Sequence, residues 1–114
     1  MVCFRSPCFA GFRSILGGDV GGTWYWNRYP GCAVDMESTY YAYSFTDTRK
    51  LGREKGWQFS RRFSTQPELL AYAKWVSEAF ELRGEIRFQT VLTRATWDDA
   101  KRRWAVETDR GDKV

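Results

Sequence analysis

Two carboxylates, Asp35 and Glu37 in the string VDMES, stand two positions apart and so share one side of an extended chain. Paired acids can serve as general acid and base, or can orient an arginine or a cofactor hydroxyl, and ordinary solvated surface acids have the same spacing. The residues just before them give them a context. In GGTWYWNRYPG, residues 21–31, Gly21 and Gly22 let backbone come close to something planar or phosphorylated. Trp24 and Trp26 would point to one side of an extended segment with Tyr25 opposite, which suits a flat cofactor and equally an aromatic core strand beside a tight turn. Pro30 and Gly31 supply that turn, the one presetting φ and the other allowing it to be positive.

The residue types exclude much other chemistry. Histidine is absent from the 114 residues, which removes Ser-His-Asp and Cys-His nucleophiles together with the commonest transition-metal ligand. Cys3, Cys8 and Cys32 are odd in number and lack CxxC spacing. Neither a disulfide framework nor a metal site is therefore expected, and a reducing, cytoplasmic setting fits. The formal charge of +4, from 18 Lys+Arg against 14 Asp+Glu, would suit a polyanion, but the basic residues are dispersed. Their densest clusters, Arg61-Arg62 and Lys101-Arg102-Arg103, lie beside expected turns or element ends, so no nucleic-acid partner is expected. Two other classes stay open on the residues alone: a small aromatic and basic module that stacks bases on Trp24 and Trp26, and a non-catalytic remnant that serves as an interaction domain. No stretch approaches the roughly 20 apolar residues of a spanning helix, so no membrane partner is expected. The opening MVCFRSPCFAGFRSIL, interrupted by Arg5 and Arg13, reads as neither signal peptide nor membrane span.

The elements that would position these residues are short, with one exception. Residues 1–18 have no clean period and read as an unmatched leader, with 19–114 as the body of one small domain. Tyr41, Tyr43 and Phe45 would share one face of an extended segment that is buried on that side. TDTRKLGREKG, residues 46–56, reads as a polar surface connection. In STQPELLAYAKWVSEAF, Thr65 and Glu68 have capping-box spacing, Pro67 lies in the first turn, and Leu69, Tyr72, Ala73, Val76 and Phe80 recur at helical spacing. That predicts one main helix near 67–81, stopped by Gly84. An antiparallel β segment near 86–114 follows, with Ile86 and Phe88 in its first strand, Trp97 and Trp104 paired across a hairpin turn near residues 98–101, and another strand starting at Lys113.

DVGGTWYWNRYPGCAVDMES, followed by YYAYSF, FSTQPELLAYAKWVSEAFEL and IRFQTVLTRATWD, resembles the flavin-dependent Baeyer–Villiger monooxygenases of the cyclohexanone and phenylacetone monooxygenase type. The resemblance runs from about Asp19 to the end of the chain. It implies an α/β fold, α+β over the stretch present, that is part of a Rossmann-type FAD- and NAD(P)-binding domain. It also implies FAD and NADPH as cofactors, and a small-molecule ketone and O2 as substrates, the ketone becoming an ester or lactone. On the same ground Gly21, Gly22, Thr23, Trp24, Tyr25, Trp26, Tyr41 and Leu92 would contact FAD. Asp35 would act catalytically beside the flavin and nicotinamide by positioning an arginine. Ala33 and Val34 fall where the family approaches NADP; the family often has Arg-Cys or a similar pair there, so backbone contact is what Ala-Val leaves. The family's opening GxGxxG, which holds the FAD pyrophosphate at a helix N-terminus, is replaced here by MVCFRSPCFAGFRSIL. The FxGxxxHxxxWP signature and the NADPH fold are also missing from these 114 residues, so the expectation is an internal fragment that alone binds FAD weakly or not at all and is not catalytic.

Overall fold

The computed structural model describes residues 13–46 and 56–113. Expectations for residues 1–12 and for the polar connection over 47–55 lie outside the described residues. The described residues divide into two compact units, one within 20–82 and the other joining 13–19 with 83–113.

The first unit is built on a 14-residue helix, Gln66–Ala79, with Pro67 in its first turn. Leu69, Tyr72 and Val76 repeat at three- and four-residue spacing and are buried, which is the predicted face, while Ala73 and Phe80 are half-buried. Burying a leucine as fully as Leu69 contributes about 1.5–3 kcal/mol. Two one-turn helices precede this one, Thr23–Trp26 and Ser38–Tyr41, and the three are numbered α1, α2 and α3 in chain order.

Both ends of α3 differ from the sequence expectation. Thr65 makes no side-chain bond as N-cap, and Glu68 turns instead to Ser60, whose backbone N–H and hydroxyl donate to its two oxygens at 2.6 and 3.1 Å. The carboxylate thus closes a loop before the helix rather than the helix itself. At the other end the helix stops well short of Gly84. Glu81 takes φ 55°, its N–H donates to Glu78 O at 3.1 Å, and Leu82 N–H donates to Ser77 O at 2.8 Å. This pair of bonds is a Schellman stop with a glutamate in the place glycine usually takes.

The aromatic run after α2 is not the expected extended, one-sided strand. Ser38–Tyr41 is helical and Ser44–Thr46 is a 3-10 turn, so Tyr40 is exposed, Tyr43 is half-exposed with its ring stacked on Tyr72 at 5.9 Å, and Phe45 packs edge-on to Phe80 at 5.2 Å. The backbone is drawn into turns by local partners: Tyr43 N–H and Thr46 Oγ1 both bond the buried Tyr72 hydroxyl, at 2.8 and 2.9 Å. Around the Tyr72 ring, Trp57, Phe59 and Trp75 lie with centroids 5.7, 5.2 and 6.2 Å away, and these rings supply much of this unit's core.

The second unit holds four strands. Arg13–Ile15 is β1, Ile86–Phe88 is β2, Leu92–Asp98 is β3 and Arg103–Thr108 is β4. β1 lies parallel to β2 with Arg13 opposite Ile86 and Ile15 opposite Phe88. Two expectations are corrected here: the last residues of the supposed leader belong to the fold, and Ile86–Phe88 is in a parallel pair, outside the antiparallel segment. Three residues are too few for alternation to show, which is why the sequence pattern missed β1. The hairpin β3–β4 is as expected, with Trp97 opposite Trp104 and ring centroids 5.5 Å apart. Asp98 closes the turn by accepting the Lys101 N–H at 3.0 Å, and Lys113 bridges back to Glu107. Val106 and Thr108 are buried, whereas β3 shows its side chains to solvent along nearly its whole length. Asp19, the residue before the aromatic motif, is paired with Arg83 at 2.7 Å. Among the described residues no helix is long and apolar enough to cross a membrane.

Candidate functional site

The predicted residues between Gly21 and Tyr41 all fall in the α3 unit, and several meet there. The helical turn α1 is not the extended segment that placed Trp24 and Trp26 on one side. At about 100° per residue, positions two apart face nearly opposite ways, and Trp26 instead sets its ring edge-on to Tyr25 at 4.8 Å. Trp24 turns toward α2, where its indole N–H donates to the Tyr41 hydroxyl at 2.9 Å and the two rings meet edge-on at 5.8 Å. Trp26 is 60% exposed and Tyr41 37%, so each leaves ring surface open to solvent.

The two glycines before this face have different reasons to be glycine. At Gly21, φ is 125° and a Cβ would lie 2.5 Å from Leu70 Cδ1 and 3.3 Å from Tyr25 N, so the close neighbour is α3 and the turn itself. At Gly22 a Cβ would meet nothing within 4 Å, and the space beside the aromatic turn is open. Asn27 ties off α1, its side-chain amide donating to Thr23 O and Thr23 Oγ1, each at 2.9 Å. The turn at Pro30-Gly31 forms as expected: Cys32 N–H donates to Tyr29 O at 3.1 Å and Gly31 has φ 79°. A hydrogen bond with the Cys32 thiol, with that group's charge and then burial adding to it, raises the Tyr29 hydroxyl above its ordinary pKa.

Beyond the turn the chain runs beside residues 64–66. Gln66 N–H donates to Cys32 O at 2.8 Å and Val34 N–H to Ser64 O at 3.0 Å, with Ala33 bridged to Thr65. This pairing buries Cys32 and Val34 and leaves Ala33 and Asp35 exposed. Asp35 and Glu37 do not form a carboxylate pair on one extended side. The chain bends at Asp35 and Met36, and Glu37 is taken by an ion pair with Arg62. Leu92 opens β3 in the other unit and is 45% exposed.

Three residues that sequence reasoning passed over hold this arrangement. The Gln66 side-chain amide donates to the Trp24 carbonyl, fixing α1 to the start of α3. Ser38 and Ser64 are almost fully buried, and their hydroxyls lie 2.8 Å apart. Gln66 carries a weak signal, a long polar side chain just before a helix-starting proline; the serines carry none, since serine is ordinary in turns. Glu68 anchors the same region. Burial pushes its carboxyl up, but hydrogen bonds from the Ser60 backbone, Ser64 and the Ser60 hydroxyl, aided by Arg61, outweigh that and hold it below the usual carboxylate value. Among the described residues no three His, Cys, Asp or Glu side chains gather as a metal site would require.

The arrangement offers open space at Gly22, exposed ring surface at Trp26 and at Tyr41, and an indole N–H satisfied within the protein. The 114 residues contain no GxGxxG fingerprint for a dinucleotide pyrophosphate.

No family model matches the chain. Curated relatives do. The chain is 42% identical over 103 residues to Baeyer-Villiger monooxygenase 4 of Dietzia sp. (strain D5), covering 90% of this chain and 16% of that protein. It is 40% identical over 95 residues to acetone monooxygenase (methyl acetate-forming) of Gordonia sp. (strain TY-5), covering 83% of this chain and 17% of that one. Among solved structures, oxidized steroid monooxygenase bound to NADP superposes with a TM-score of 0.78 at 46% identity, over 89% of this chain and 19% of that one. OTEMO in complex with FAD and NADP superposes with a TM-score of 0.73 at 42% identity, over 89% and 18%. The chain thus spans less than a fifth of the length of these proteins.

Proposed function

The chain belongs to the Baeyer–Villiger monooxygenase family, of which it carries one segment, and on that basis we propose that it forms the aromatic wall of an FAD site in an NADPH- and O2-dependent monooxygenase. The reaction is oxidation of a ketone to an ester or lactone, in the cytoplasm. Bound FAD supplies the oxygen-activating chemistry, with NADPH as its reductant. Thr23, Trp24, Tyr25, Trp26 and Tyr41 line the cofactor, and Gly21 and Gly22 set the turn from which α1 starts. Leu92 is assigned to the cofactor on the family resemblance alone. Asp35, exposed just past the Pro30-Gly31 turn, orients an arginine on another part of the enzyme. Ala33 and Val34 approach NADP through their backbone, since the Val34 side chain is committed to the core.

The observation that carries this reading is the Trp24–Tyr41 hydrogen bond beside the open space at Gly22. That bond satisfies the indole N–H within the protein, so the Trp24 ring meets the cofactor through its apolar surface, while the Tyr41 hydroxyl keeps its own proton for a polar contact. The test is a graft in which residues 19–113 replace the matching stretch of the Dietzia enzyme, assayed for NADPH-dependent conversion of a ketone to its ester. Retained turnover is expected; a folded graft that consumes no ketone would refute the reading.

A further inference from the structure

A four-residue helix has no stability of its own, because the cost of nucleating the turn is not repaid by so few backbone bonds. The orientation of α2 must therefore come from what it is fastened to, and Ser38 is its one buried residue. Ser38 is fastened to two residues, Arg62 and Ser64. Its N–H donates to Arg62 O at 2.7 Å, its hydroxyl lies 3.0 Å from the same carbonyl and 2.8 Å from Ser64 Oγ, and it accepts the Ser64 N–H at 2.8 Å. Ser38 is 1% and Ser64 0% exposed, so water does not compete for these bonds. One turn further on, α2 ends at Tyr41, the acceptor for the Trp24 indole. Trp24 is held separately, through Gln66 and its own carbonyl. Both partners of the Trp24–Tyr41 contact are thus anchored to the single segment 64–66, the one by Gln66 and the other by Ser64.

We propose that Ser38 and Ser64 are positioning residues: a buried hydroxyl clasp that holds α2 so that Tyr41 accepts the Trp24 indole N–H and the two rings present one face. Why that face matters rests on the flavin reading; the clasp itself does not.

The test uses the chain as it is, with no flavin. Hydrogen exchange of the Trp24 indole N–H is followed by nitrogen-15 NMR, its resonance assigned with Trp24→Phe. Ser38→Ala is expected to speed that exchange roughly fivefold, the factor carried by one neutral hydrogen bond, and Tyr41→Phe to do the same. The control is Ser77→Ala, which removes an equally buried hydroxyl that bonds Lys74 O within α3, and it is expected to leave the Trp24 signal where it was. Unchanged Trp24 exchange in folded Ser38→Ala, or equal acceleration in Ser77→Ala, would overturn the proposal. Should Ser38→Ala not fold, Ser64→Ala, which leaves the Ser38 hydroxyl its Arg62 carbonyl, gives the same readout: acceleration supports the clasp and no change overturns it. Failure here would leave the graft result, and with it the flavin reading, untouched.

Discussion

Gly21→Ala tests how α1 is seated. Gly21 has φ 125°, where a side chain is strained, and its added Cβ would stand 2.5 Å from Leu70 Cδ1 and 3.3 Å from the Tyr25 backbone N. The backbone strain costs about 1–3 kcal/mol. Leu70 can swing its terminal methyl aside at about 0.5–1.5 kcal/mol for a poorer rotamer, but the Tyr25 backbone cannot. The total is about 1.5–4.5 kcal/mol of unfolding free energy, read from urea denaturation by tryptophan fluorescence and far-ultraviolet circular dichroism. Gly22→Ala, with φ 53° and nothing within 4 Å of its Cβ, has only the strain component and should cost less. In a Leu70→Ala background the Leu70 share of the Gly21→Ala cost should disappear, giving a coupling of roughly 0.5–1.5 kcal/mol. A Gly21→Ala variant within about 0.5 kcal/mol of the parent, the ordinary range for an unconstrained surface position, would refute the reasoning.

Three further outcomes are expected. Tyr72→Phe strips the partner from the Tyr43 N–H while Thr46 keeps its bond to Tyr43 O, and should cost about 1–3 kcal/mol, measured by thermal or urea unfolding. Glu68 has a lowered carboxyl pKa in the folded chain. Its stabilisation is therefore complete above the unfolded carboxylate value and is lost as pH falls through the lower folded value. The gap in urea midpoint between parent and Glu68→Gln should accordingly be wide near about pH 7 and narrow by about pH 3; a gap that does not change with pH contradicts this. A double-mutant cycle on Trp97 and Trp104 should give a coupling of about 0.5–1.5 kcal/mol, and none if the rings only share solvent exposure.

What the residues revealed in advance follows from how long each signal is. The α3 periodicity covers several turns, so Leu69, Tyr72 and Val76 were legible as core, and the hairpin was legible because two tryptophans flank a polar turn. Where an element is one turn long, propensity and alternation have too few positions to distinguish helix from strand, and α1 and α2 both read as extended. Their true conformation is imposed by partners distant in sequence, Gln66 for α1 and Ser64 for α2. β1 was missed for the same reason, its three residues being defined by pairing with Ile86–Phe88, far along the chain. Of the predicted glycines, Gly21 answers to Leu70, a neighbour within the chain that no local sequence signal points to. The Asp35–Glu37 pairing fails because Arg62 claims Glu37.

The central claim is that this segment is one wall of a flavin site whose phosphate cradle lies elsewhere. Its most direct measure is the flavin content of the purified graft, the Dietzia enzyme carrying residues 19–113 of this chain, read from its visible absorbance against protein concentration. Near-stoichiometric FAD in the graft, with no tight FAD complex formed by the chain alone, is the expected result. A folded graft that purifies without flavin, or tight stoichiometric FAD binding by the isolated chain, would contradict it.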